Sequence, residues 1–466
     1  MTGFTGDLSG NNTLGVYGNF ISGASNTYSG SGQINMRATS GTKTITCNGN
    51  TIARAFLFNG SGGTFQLSDN FSSSNTFSHI AGSIDANNKN ITLTGSASMS
   101  LPTISNMANF SWTGTATKTN TLSLSGNWTL SGTITLNGNS AINRLLVQSS
   151  VKGTQRTITA ATVSVTNADF QDIVGAGAGS WNLSAITGLS GDCGGNSGIT
   201  FTTPATTTCS AGTTWSTATW SSRVPLPQDT ATFSGSSRTI TQDMPRIGAV
   251  NFTGSSGLTW TTSTACSFFG SINLTNLGTL TASTQAYTYE GRGNSTLTSA
   301  GKSFAKGITI NCVGGKLTFG DAFLSTSTFT HTSGTLDTGN NSTQSTTYTI
   351  SGTGTRTLTP GSSTWTLTLG TGTVATFSTT TTTYTSNTAT FKCTGALTGS
   401  ATIATGGVNF NGATLWNATT NAFDFILTGS GTFGTYKSDA SRSLKFTAGT
   451  TTTAQLTPYQ EQEHEL

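Results

Sequence analysis

The chain has 466 residues, only 8% of them charged, with a net charge of +4 at pH 7. A soluble domain of average make-up carries roughly 25% charged residues, so this composition is unlike that of a typical globular enzyme. The small charge excess gives no basic stripe, and no Lys/Arg cluster interleaves with aromatics along the chain, so nucleic-acid binding is not expected.

Gly (58 residues), Ser, Thr and Asn occupy the places usually held by Lys, Glu and Ala. They disfavour helix, while the Thr, Val, Ile and Phe between them suit strands, so an all-β fold nearly free of helix is expected. Disordered chains lack aromatic and branched residues. Here aromatics make up 9%, with 25 Phe and 8 Trp, enough for a thin core that repeats along an axis.

The start, Met1-Thr2-Gly3-Phe4-Thr5-Gly6-Asp7, has no basic n-region followed by an apolar h-region, and no apolar run is long enough to cross a membrane. The expectation is release without secretion, as for phage proteins at lysis, or a piece of something longer.

Further along, residues 44–88 align without a gap on residues 296–340, offset by 252 positions (His331 against His79). Matched pairs include Asp69/Asp321, Phe71/Phe323, Phe77/Phe329, His79/His331, Gly82/Gly334, Asp85/Asp337 and Asn88/Asn340. Composition bias reproduces Gly or Thr, but not Asp, Phe and His together. Two homologous blocks follow.

The finest period lies in residues 121–139. Leu122/Leu124, Trp128/Leu130 and Ile134/Leu136 stand two apart within short strands, each strand followed by Ser-Gly or Asn-Gly. Strands this short are not stable as hairpins. They fit the sides of a coil whose turns stack, each strand pairing with its copy one rung away. Similar fragments recur at Ile91, Ile272, Leu317, Trp365 and Phe423. The expected architecture is a parallel β-helix, or β-solenoid, in two stacked or tandem blocks.

The texture changes in the middle. Gly175-Ala176-Gly177-Ala178-Gly179 reads as a flexible turn, since no strand-then-helix context makes it a nucleotide loop. Four of the seven prolines (Pro204, Pro225, Pro227, Pro245) fall nearby, where regular stacking should be interrupted. The division expected is a first solenoid block at 1–190, a Gly/Pro-rich junction with a Trp motif at 191–235, and a second block at 236–466 ending in an acidic tail.

The order Asn167-Ala168-Asp169-Phe170-Gln171-Asp172-Ile173, then residues 191–201, then Trp215, Trp220 and residues 224–233 carries a likeness. It resembles glycine- and threonine-rich phage and prophage proteins of environmental bacteria, taken to be β-helical virion, tail-fibre or adhesin-like components. The resemblance covers the middle closely and the flanks in repeat style. It implies a structural role at a virion surface and brings no catalytic residue with it.

Candidate chemistry is sparse. His79 and His331 hold equivalent repeat positions, which favours two like rung residues over one joint site; His464 lies in the tail. Cys47, Cys193, Cys209, Cys266, Cys312 and Cys393 show no Cys-x-x-Cys spacing, so neither a zinc site nor a dense disulfide framework is expected. Buried free thiols are the favoured state, with a Cys193–Cys209 bridge as the alternative. Asp169 and Asp172, with Asp192 next, are the nearest carboxylates for glycosidic cleavage, but turn capping is favoured for them. Asp69/Asp321 and Asp85/Asp337 read as turn residues because they recur with the repeat.

Trp215 and Trp220, followed by Arg223, are the candidate carbohydrate or receptor contacts. Sealing the end of a solenoid block is the competing and favoured reading for the two tryptophans.

Three functions follow: a phage tail fibre, spike or surface-decoration protein supporting host attachment; a secreted adhesin or filament subunit; and a polysaccharide depolymerase. The first is favoured, and a non-enzymatic role with it. Location on the virion or outside the cell is expected, with self-association (a trimer being one form), other virion proteins and host glycans as partners. No cofactor, metal, nucleic acid or membrane insertion is expected.

Overall fold

In the computed structural model, the described residues are 6–457 apart from 97, 282–284, 369, 379, 386–387, 421–422, 440–443 and 448–451. The acidic tail at 460–466, His464 included, and the first five residues lie outside them. Among the described residues strand accounts for 55% and helix for 1%, and parallel strands stack into β-solenoid turns, about 19 in all. The chain divides into two compact units, Met1–Pro204 and Ala205–Leu466. The Gly/Pro-rich segment is shared between them: residues 191–204 belong to the first unit and 205–235 to the second.

Within the first unit, one turn shows how sequence becomes coil. Thr121–Leu124, Trp128–Thr129 and Thr133–Asn137 lie on three different sheets, one strand to a side. Side chains alternate across a strand, so Leu122, Leu124, Trp128, Leu130, Ile134 and Leu136 all point inward and are buried. Each meets its counterparts in adjoining turns: Leu122 is in register with Met99 and Val147, Trp128 with Ile158, and Ile134 with Phe110 and Val163. A short strand, marginal alone, thereby gains backbone partners on both edges.

Rings fill the interior. Phe56, Phe58, Phe71 and Phe77 contact one another at centroid distances of 5.1–5.3 Å in the first unit. In the second, Phe233 stacks on Phe252 at 4.4 Å and Phe319 on Phe323 at 4.6 Å. Burying such a side chain contributes about 1.5–3 kcal/mol and a ring pair about 0.5–1.5 more. An exposed ion pair contributes about 0–1 kcal/mol, so the core, not the surface, holds the turns together.

The 252-residue repeat is structural. Strands Phe56–Leu67 and Ile308–Phe319 correspond, as do Phe71–Ser73 and Phe323–Ser325. Asp69 accepts the backbone N–H groups of Cys47 and Asn48 at 2.7 and 2.5 Å; Asp321 does the same for Ser299 and Ala300 at 2.7 and 2.6 Å. Asp85 and Asp337 each accept the N–H two residues on, at 2.9 Å. All four carboxylates are turn caps.

Buried arginines cross-link turns. Arg54, 1% exposed, donates to the carbonyls of Gly32, Asn12 and Leu8. Arg356 donates to those of Thr332, Ser351 and Thr380. Carbonyls left over where irregular corners break the ladder are thereby satisfied, which the unmet desolvation cost demands.

The expected flexible turn at 175–179 is corrected in part. Gly175 lies in the strand Ile173–Ala176, in register with Ile158. A Cβ there would come within 2.6 Å of the Trp181 ring, so glycine is present to let that indole pack. Among the described residues, no helix is long and apolar enough to cross a membrane.

Candidate functional site

The tryptophan motif lies at the start of the second unit. Strand Thr219–Trp220 runs antiparallel to Thr206–Ala211, the one antiparallel pairing among the described residues. A single 3-10 turn, Trp215–Thr217, precedes it. Asp243 fixes that turn by accepting the Ser216 N–H at 2.9 Å and its hydroxyl at 2.6 Å.

Trp215 is fully buried, with its ring against Trp220 at 5.2 Å and Phe233 at 5.3 Å. It has no free face for a sugar. Trp220 is half-buried, and its indole N–H donates to the Trp215 carbonyl at 2.8 Å. Arg223 grips Asp229 through Nε at 2.8 Å and a terminal nitrogen at 2.6 Å. Asp229, itself buried, also accepts the N–H groups of Ala205 and Leu226 at 2.8 Å each. The guanidinium is thus bound to a carboxylate that orders the unit's first turn. Asp229 and Asp243, which organise this corner, carry no motif that marks them in the sequence.

The other carboxylate candidates lie close together, Asp192 on the strand paired with that of Asp169, but each has a structural partner. Asp169 is buried and paired with Arg144 at 2.7 Å. Asp172, with a left-handed φ of 57°, accepts the Gly153 N–H at 2.9 Å. Asp192 accepts Gly194 N–H and the Asn196 amide, both at 2.8 Å. Each of these carboxylates is spent on a corner.

His79 and His331 sit alike, as their repeat positions require: the ring Nε2 of each donates to a glycine carbonyl three residues on, Gly82 at 2.7 Å and Gly334 at 3.0 Å. His331 Nδ1 then accepts the Tyr348 hydroxyl at 3.2 Å. Burial pushes its pKa down to about 4, so the ring is neutral near pH 7.

All six cysteines are buried free thiols. Burial pushes Cys47, Cys312 and Cys393 up to about 12, and Cys266 higher still. These four thiols stay protonated, and a protonated thiol is neither nucleophile nor metal ligand. Among the described residues no group of three or more His, Cys, Asp or Glu is arranged to hold a metal ion.

Two surface features were invisible along the chain. A groove of about 410 Å³ crosses four successive turns of the second unit, lined by Gly314, Gly315, Gly334, Thr335, Thr357 and Thr383, with Arg356 in its wall. Its lining contains no carboxylate among the described residues.

The second feature brings cations and an aromatic together across strands and not along the chain. Lys392, Trp416 and Lys437 fall on three adjacent parallel strands in direct register. The Lys392 ammonium stands 3.8 Å from the centroid of the Trp416 ring and that of Lys437 4.0 Å from it. Because these lysines come from the strands on either side of Trp416, they approach the indole from opposite sides. The indole N–H donates to Asp439 at 2.9 Å. The three residues are one turn apart in sequence, a spacing that acquires meaning only once the length of each turn is known.

No protein-family model, curated protein or solved structure matches this chain.

Proposed function

We propose that the chain is a structural component of a phage virion, a tail fibre, spike or surface-decoration protein that supports attachment to the host surface. A β-solenoid is compatible with phage fibres, adhesins and depolymerases alike. The observation that favours a structural role is how the chemically capable side chains are used. The carboxylates of Asp69, Asp169, Asp172 and Asp321, the imidazole of His331 and the guanidinium groups of Arg54, Arg144 and Arg356 all hold corners or join turns. Glycosidic cleavage by the common retaining and inverting mechanisms uses two carboxylates facing one cleft. Asp169 instead faces inward onto Arg144, and no carboxylate lines the groove at Gly314 among the described residues.

The likeness of the central segment to phage and prophage proteins supports placing the coil on a virion. The test is quantitative mass spectrometry of purified particles together with antibody labelling in electron micrographs. A fixed copy number and labelling at one place on the particle are expected. Absence of the chain from intact particles overturns the reading, and sugar release from host polysaccharide by the purified chain would favour the depolymerase.

A further inference from the structure

The geometry points to an acidic-polysaccharide contact on the outer face of the second unit, centred on Lys392, Trp416 and Lys437. Two other lysines of this unit are neutralised: Lys316 pairs with Asp337 and Lys445 with Asp424, each at 2.6 Å. Lys392 and Lys437 have no ion pair among the described residues. Each instead stands against the negative face of the Trp416 indole, an interaction that attracts a cation without cancelling its charge. The carboxylate of Asp439 accepts the indole N–H at the ring edge. The result is two ammonium groups held about one ring with no ion pair of their own among the described residues, on a chain of which only 8% is charged.

The surroundings select the anion's carrier. Thr390, Thr414 and Thr435 stand in register beside the three residues, two positions earlier on the same strands, and are partly exposed. Alternation places their hydroxyls on the outer face with the lysines. A row of hydroxyls beside a pair of cations matches a chain that alternates sugar hydroxyls with carboxylate or sulfate groups. Single-stranded nucleic acid binds by stacking bases on open aromatic faces. Here an ammonium group stands on either side of the Trp416 ring, so no base can stack. The site differs from the tryptophan motif at Trp215, and the inference does not depend on the chain's place in a particle.

The test uses the whole purified chain in affinity electrophoresis through gels containing polygalacturonate, dextran sulfate or neutral dextran, with single-stranded DNA as a competitor. Retardation by polygalacturonate, dextran sulfate or both, at about 50 mM salt where screening is weak, with none by neutral dextran, is expected. The two anionic gels distinguish carboxylate from sulfate as the group recognised. The double substitution Lys392→Gln with Lys437→Gln should weaken retardation about tenfold or more without moving the melting temperature, and Lys392→Arg with Lys437→Arg should preserve it. No retardation of the unaltered chain in either anionic gel overturns the inference. So does retardation that survives the double Gln substitution, or tighter binding of DNA than of both polysaccharides.

Discussion

Single residues in this coil are read best through their burial. His331 is fully buried, and desolvation, followed by the charge of Arg356, outweighs its hydrogen bond to Gly334 and lowers its pKa to about 4. An unfolded histidine titrates near 6.5, so below that pH the unfolded chain takes up a proton that the folded chain refuses. The contribution of neutral His331 is therefore complete above about pH 6.5 and is lost as pH falls to about 4, a difference of about 3 kcal/mol. His331→Gln keeps a donor for the Gly334 carbonyl and removes the titration. Urea unfolding at pH 7, 5.5 and 4 should show the unaltered chain losing this amount relative to the variant. Parallel loss in both would assign the acid sensitivity to other groups.

At the scale of the element, the two copies of the repeat supply a control written by the sequence itself. The corner residue held by Asp69 is Asn48 with φ 51°; the one held by Asp321 is Ala300 with φ 49°. Asn tolerates the left-handed region, whereas Ala pays roughly 1–2 kcal/mol there. Ala300→Gly is therefore expected to raise stability by about 1 kcal/mol. Gly334, with φ 84°, should behave oppositely: a Cβ would lie 2.1 Å from the Cys312 carbonyl oxygen, so Gly334→Ala both strains the backbone and forces Cys312 aside. A loss of more than about 2 kcal/mol is expected. Thermal melts of the two variants, shifted in opposite directions, check both; equal shifts would refute the corner geometry.

For the whole chain, the low charge content sets the response to solvent. The ion pairs Arg144–Asp169 and Arg223–Asp229 are buried or nearly so, and salt screens such pairs weakly. The exposed pairs, such as Lys445–Asp424, contribute little in any case. Raising sodium chloride from about 50 mM to about 1 M should therefore change the melting temperature by no more than about 2 °C. A fall of about 10 °C would show that surface charge, not ring burial, carries the stability.

What the sequence determined by itself is the coil. Alternating apolar residues in short strands ended by Ser-Gly or Asn-Gly leave a chain little choice but to stack its turns, and that pattern is local enough to read directly. The 252-residue repeat was legible for the same reason, because Asp69/Asp321 and His79/His331 must perform one task in two places. Trp215, by contrast, could be read as a sealing residue or as a sugar contact, with sealing favoured, and Arg223 as a contact, because residue type shows chemistry and not burial; only packing against Phe233 and pairing with Asp229 decided between the roles. The Lys392–Trp416–Lys437 row lay beyond reading for a geometric reason. Its members are neighbours across strands and not along the chain, and irregular corners vary the length of each turn, so the register that brings them together is decided by the folded coil alone.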